Sequence, residues 1–175
     1  MEIEAFVRRL LKNRLISGPA NYRDPQPAVQ SSKTRALLEV NVLVALPDRK
    51  HVAHATAHRW LAEHLAEGWA PSPMTENGCL RVLTNLRYPA PVTAADALAK
   101  LETAKSSGHH EFWPDDVSIT DKRMFDRSKF RGHQQVTDAY LLALAVKHDG
   151  CLVTFDSDIP LQIALGARAE NLKRI

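Results

Sequence analysis

The sequence predicts a three-layer α/β fold, with a central, mostly parallel sheet flanked by helices. From Thr34 onward, short strand-like runs alternate with segments of helical period, as in a sheet joined by crossover helices. The strand-like runs are apolar, as strands buried by helices are. The chain has 175 residues, 45% apolar and 25% charged, which suits one globular domain with an appendage and excludes a disordered chain. Seven glycines and two cysteines exclude collagen-like and disulfide-scaffold classes. No apolar run reaches the ~20 residues of a membrane span. Arg8, Arg9 and Lys12 break the first apolar stretch, so it reads neither as a signal segment nor as a membrane helix. Cys79 and Cys151 lie far apart in apolar surroundings and read as buried free thiols, consistent with a reducing cytoplasm.

Residues 3–15 place Ile3, Phe6, Val7, Leu10, Leu11 and Leu15 on one helical face, with the basic residues mostly opposite. Gly18-Pro19 ends that helix, and residues 18–33 form a Pro-rich arm without apolar period. Six Lys/Arg against three Asp/Glu in residues 1–33 account for the whole formal charge of +3. The division is therefore an amphipathic helix plus arm over 1–33 and a globular domain over 34–175. Ala36-Leu37-Leu38 is a short strand running into Glu39 and a second apolar run to Leu46. Residues 52–67 read as a helix, Gly68–Pro71 as a short strand, and 74–86 and 94–105 as helices. Phe112-Trp113 is a strand candidate before Pro114. Residues 137–148 are strongly helical, with Thr137 a candidate N-cap and Gly150 the stop signal. Cys151–Phe155 is a buried strand, and a short helix restarts at Pro160.

Ligand sites in such sheets lie beyond the carboxyl ends of the strands. Four acids stand at element ends that can face one crevice: Glu39 after the first strand, Glu76 near a helix start, Asp138 in a first helical turn, and Asp156 after the Cys151–Phe155 strand. Like charges so gathered raise one another's pKa, and these segments supply too little Lys or Arg to neutralise them. A hard divalent cation, Mg²⁺ or Mn²⁺, would do so, which points to a metal-dependent phosphodiesterase. Each acid also has a structural reading: Asp138 as a helix-dipole partner, Asp156 and Asp158 as turn residues, Glu76 on a solvated face. Glu39 interrupts an apolar run and is the hardest to explain that way.

LLEVNVLVAL at 37–46 resembles the opening of a PIN-domain ribonuclease of the VapC toxin type. HVAHATAHRWL at 51–61 resembles the helix that follows it in one branch of that family, and TENGCLRVLTN at 75–85 its glutamate-bearing segment. TDAYLLALAVKHDGCLVTFDSDI at 137–159 is similar to its second half. The resemblance implies a PIN-like fold, Mg²⁺- or Mn²⁺-dependent cleavage of RNA, a cognate antitoxin and a homodimer. It implies that Glu39, Glu76, Asp138 and Asp156 are the catalytic, metal-binding acids, with Asn41 and Asp158 in support and Thr154 a polar neighbour.

Two departures stand out. The family pattern has aspartate where this chain has Glu39, and the added methylene implies weakened metal binding or attenuated cleavage, since productive geometry tolerates only ~0.5 Å of error. A catalytically inactive, nucleic-acid-binding descendant is the alternative, and a nuclease directed at DNA by the same acids a third reading. The 33-residue extension resembles the C-terminal part of a small antitoxin. Its basic arm is drawn to acids, with Arg23 the residue placed nearest them. A surface helix unrelated to inhibition is the competing reading.

His51, His54 and His58 recur at helical spacing, but no further ligands stand nearby, which favours interface or surface histidines over zinc. His109-His110 reads as an exposed loop pair. Trp60, Trp69 and Trp113 read as core residues. Arg81 and Arg87 flank the Glu76 helix, and Lys122, Arg123, Arg127, Lys129 and Arg131 crowd one segment. That segment suits either an RNA backbone or plain solvation.

Overall fold

The computed structural model describes residues 34–175. The predicted 3–15 helix, the arm and the placement of Arg23 lie outside the described residues. Four parallel strands form one sheet in the order β2-β1-β3-β4: β1 Ala36–Leu38, β2 Trp69–Ala70, β3 Cys151–Thr154 and β4 Leu172–Arg174. The α-helices that accompany them are α1 Val40–Ala45, α2 His54–His64, α3 Pro73–Leu83, α4 Ala94–Lys105 and α5 Gln135–Lys147, with a short 3-10 turn at Leu65–Glu67 extending α2.

The three layers follow from the two-residue period of the strands. Ala36 and Leu38 of β1, with Cys151 and Val153 of β3, pack into a core beneath α1–α4. Leu37 and Leu152, between them in sequence, face the opposite side, where α5 covers them. Ala139 through Ala145 of α5 are all buried. A helix apolar around its circumference belongs inside, and α5 is closed in by the sheet on one side and by the 113–130 and 159–164 segments on the other. Gly150 lets β3 begin close to its neighbours: a Cβ there would stand 2.6 Å from the Arg35 carbonyl and 2.4 Å from the Trp113 ring.

Several sequence expectations are revised. The apolar run after Glu39, to which the sequence assigns no element, is helical over Val40–Ala45: Leu43 N–H bonds back to the Glu39 carbonyl at 2.9 Å and the chain leaves the sheet there. No strand forms at Phe112-Trp113; the chain instead bridges β2 at His110, and Trp113 N–H reaches the Pro71 carbonyl at 3.0 Å. His109 and His110 are accordingly part-buried at a sheet edge rather than exposed. Thr137 is not an N-cap: α5 starts at Gln135, two residues earlier. The 74–86 helix stops at Leu83, where the Val92 amide takes the Leu83 carbonyl at 2.9 Å. The restart at Pro160 is a single 3-10 turn, Leu161–Ile163. Strand β4 has no counterpart among the sequence expectations, since Leu172 is its only buried residue.

Both cysteines are free and buried. Trp69 and Trp113 are buried, and Trp60 packs on the core while stacking on His64. Among the described residues, no helix is long and apolar enough to cross a membrane.

Candidate active site

β1 and β3 are neighbours in the sheet, so the residues just past their carboxyl ends are brought together. Glu39 succeeds β1 and is the N-cap residue of α1, but its carboxylate does not cap the helix. It accepts a hydrogen bond from the Thr154 hydroxyl at the end of β3. Thr154 is fully buried, and its oxygen also accepts from the Asp156 amide at 2.8 Å and the Asn41 side-chain amide at 3.3 Å. One threonine thus ties the β1 and β3 ends to α1. Asp156 in turn accepts from the Asp158 amide at 2.7 Å, which shapes the turn. Asp138 reaches the same place from the first turn of α5.

The electrostatics bear on Glu39 and Asp138. Burial pushes the Glu39 carboxyl up to about 7; the Thr154 and Asn41 hydrogen bonds pull it down, and the charges of Asp138 and Asp156 push it further up. The Asp138 carboxyl is likewise raised, by burial first and then by the Asp156 charge. Among the described residues, no lysine or arginine forms an ion pair with these three acids.

Glu76 is placed differently. Ser72 caps α3 in a reciprocal capping box with Thr75, which sets Glu76 in the first turn. Its Oε1 is then taken by Lys105 Nζ of α4 at 2.8 Å. Glu76 is not among the charges acting on Glu39 or Asp138. Sequence reasoning misses Lys105: it is the last residue of α4, and no local pattern marks a partner 29 residues away.

Among the described residues, no three His, Cys, Asp or Glu side chains are close enough to form a ready metal cage. The donor chemistry nonetheless suits a hard cation. Glu39, Asp138, Asp156 and the Asn41 carboxamide offer oxygen, and the Asn41 Oδ1 atom is buried without a hydrogen-bond partner. The helical histidines are occupied otherwise: His54 Nδ1 bonds the Ala45 carbonyl and His58 Nε2 the Leu46 carbonyl, each at 2.8 Å, closing the C-terminal end of α1. They therefore support the helix whose N-terminal end carries Glu39.

The segment 122–131 is pinned to the chain beyond Asp156. Phe125 bridges Ala164, and the Asp126 amide takes the Ile163 carbonyl at 3.1 Å. Arg123 is engaged by Asp121 and Arg127 by the Thr120 carbonyl, while Lys122, Lys129 and Arg131 are exposed.

Comparison with known proteins decides which family builds such a crevice. The PIN domain family model matches residues 36–162. The chain belongs to the PIN-domain family. Its relatives are of the VapC type. It is 49% identical over 138 residues to Ribonuclease VapC44 of Mycobacterium tuberculosis (strain H37Rv), covering 79% of this chain and 97% of that protein. It is 44% identical over 123 residues to Ribonuclease VapC39 of the same strain, covering 70% and 88%, and 42% identical over 125 residues to Ribonuclease VapC38, covering 71% and 86%. In this PIN domain, the all-parallel sheet flanked by helices is the expected architecture; Glu39 and Asp156 follow its β1 and β3, and the charge of Asp138 is felt at Glu39.

Proposed function

We propose that this PIN-domain protein is the toxin of a toxin–antitoxin pair and an Mg²⁺- or Mn²⁺-dependent endoribonuclease. The observation that carries the reading is the group Glu39, Asp138 and Asp156: three acids from three elements, sharing one field, without a basic partner among the described residues. Its VapC-type relatives, named as ribonucleases, support RNA as the substrate.

Asp138, Asp156 and Glu39 would hold the ion, with the Asn41 carboxamide oxygen beside them. Glu76 is the fourth acid: Lys105 engages its Oε1, which leaves Oε2 for the site. When bound, the ion supplies a water of lowered pKa and stabilises charge on the phosphate oxygens. Thr154 fixes the Glu39 carboxylate and, through the Asp156 amide, the turn that carries Asp156. Asp158 supports that turn by donating its amide to Asp156. The exposed Lys122, Lys129 and Arg131 hold the RNA backbone beside the acids.

The test is cleavage of RNA with added Mn²⁺, comparing the parent chain with Asp138→Asn and offering a matched DNA in parallel. Loss of RNA cleavage in the variant supports the reading. Undiminished cleavage removes it, and equal cleavage of DNA redirects it.

A second reading is favoured by Glu39 itself. Its carboxylate is engaged by Thr154, and no three ligands are pre-assembled among the described residues, as in a PIN domain that binds nucleic acid without cutting it. Activity restored by Glu39→Asp, where the parent chain is inert, identifies that case. We also propose that residues 1–33 act as an antitoxin-like inhibitor, that a separate antitoxin exists, and that the toxin is a homodimer in the cytoplasm. Deleting residues 1–33 raises nuclease activity on this reading; no gain leaves the segment without an inhibitory role.

A further inference from the structure

One residue beyond Glu39, where α1 meets α3, the surface opens into a cavity of about 470 Å³ lined by Val40, Gly78, Arg81, Asn85, Arg87 and Tyr88 among others. Its size lies within the roughly 300–1,000 Å³ of small-ligand sites. Two guanidinium groups line it and no carboxylate does. A second cavity of about 440 Å³, lined by Arg59, Glu63 and Arg174, mixes both signs and selects no anion.

The walls are built before anything binds. The Asn85 Oδ1 accepts the Arg87 amide at 2.9 Å, and the Tyr88 amide returns to the Asn85 carbonyl at 2.8 Å. Residues 85–88 therefore form a locked turn that carries Arg87. Because its oxygen is used inward, Asn85 has its amide hydrogens available as donors. The Tyr88 ring is anchored by its hydroxyl, which donates to Asp48 at 2.6 Å. Gly78 brings α3 against α1: a Cβ there would stand 2.5 Å from Val40 Cγ2. The result is a corner with a fixed backbone that carries two arginines, one amide donor and one aromatic ring.

That combination fits a nucleotide of a single strand. Guanidinium groups pair with phosphate oxygens in a fork, and an aromatic ring offers a face to a base. A phosphate backbone suits the pocket better than a second copy of this chain does, since its lining offers two cations and no carboxylate to pair with them.

We propose that this pocket is a nucleotide subsite for the RNA strand next to the cleaved phosphate, with Arg81 and Arg87 holding a backbone phosphate and Asn85 and Tyr88 its nucleoside. The proposal rests on the nuclease reading for its substrate and adds where the strand lies: across α1, from the Arg81–Arg87 corner to the acids.

The experiment uses the full chain, metal-free, and a short fluorescein-labelled, mixed-sequence, single-stranded RNA, with binding read by fluorescence anisotropy across a salt series. Both arginines are exposed, so R81A/R87A folds as the parent does, checked by its melting curve. The expected result is binding weakened about tenfold or more, with the salt slope reduced by roughly 0.7 for each phosphate no longer held. R81K/R87K keeps the slope, because the charges remain. With Mn²⁺ present, R81A/R87A raises KM more than it lowers kcat.

Unchanged affinity and slope in R81A/R87A overturn the proposal, as does an absence of binding by the parent chain. A change of solution mass in R81A/R87A with RNA binding intact also overturns it and assigns the patch to contact between copies. The two readings fail separately. If Asp138→Asn still cleaves RNA, the nuclease assignment falls while the binding data still judge the pocket. If Asp138→Asn is inert and R81A/R87A binds normally, the pocket falls and the nuclease stands.

Discussion

The predicted acids fall into two halves built to different standards, and Glu76 is not among the charges acting on Glu39 or Asp138. On one side, Asp138 stands at the start of α5, whose residues Ala139–Ala145 are all buried, and Asp156 stands two residues past the fully buried strand β3. On the other, Glu76 projects from α3, whose partner α4 buries only Ala97 and Leu101, and its charge is met by Lys105. The first half uses its packing to hold like charges together, which is unfavourable unless something neutralises them. The second resolves its charge internally. Bringing acids to one end of a sheet is thus a matter of topology, while leaving them unpaired is a matter of what the neighbouring helix carries.

The strongest way to break this contrast is to loosen the rigid half. Leu141→Ala removes a fully buried side chain of α5 and should destabilise the protein by about 2–5 kcal/mol, read from denaturant unfolding. Asp138→Asn leaves the packing intact and should lower RNA cleavage by about 100-fold or more, since even groups that only orient metal ligands carry effects of roughly 10–100-fold. A small effect would mean that the rigid half is not the catalytic one.

The charge of the rigid half can be read without substrate. Glu39 is raised from 4.5 to about 7 in the fold, so between these values the unfolded chain loses its proton while the folded one keeps it. Stability of the metal-free protein should therefore fall as pH rises through that window, and Asp138 adds to it with the same sign. The fall should be weaker in Glu39→Gln and in the presence of Mn²⁺. A melting temperature flat with pH in the parent chain would contradict the burial of Glu39.

Lys105→Met probes the other half. A part-exposed ion pair contributes under about 1 kcal/mol, so stability should barely move. Mn²⁺ affinity, measured by calorimetry, should rise if the freed Glu76 joins the site. An unchanged affinity assigns Glu76 to α4 packing alone.

Much of the architecture is legible in the sequence. The α5–β3 block announces itself through an unbroken apolar helix, a glycine and an apolar strand, and the acids at its ends stand out by position alone. Local cues mislead where tertiary contacts outweigh them. Phe112-Trp113 has strand-like composition, yet the edge of β2 pairs at His110, because the Trp69 amide takes the His109 carbonyl at 2.9 Å. Strand β4 is silent because two of its three residues are exposed and offer no apolar run.

By itself the sequence determined the layered α/β class and offered four acids at element ends as candidates, because burial periods and strand ends are local properties of a chain. Only the tertiary structure decided which acids lack a basic partner among the described residues. Thr154 takes Glu39 from 115 residues away, Lys105 takes Glu76 from 29 away, and among the described residues nothing takes the Asn41 oxygen. Such pairings depend on the spatial approach of distant side chains, which no local pattern encodes.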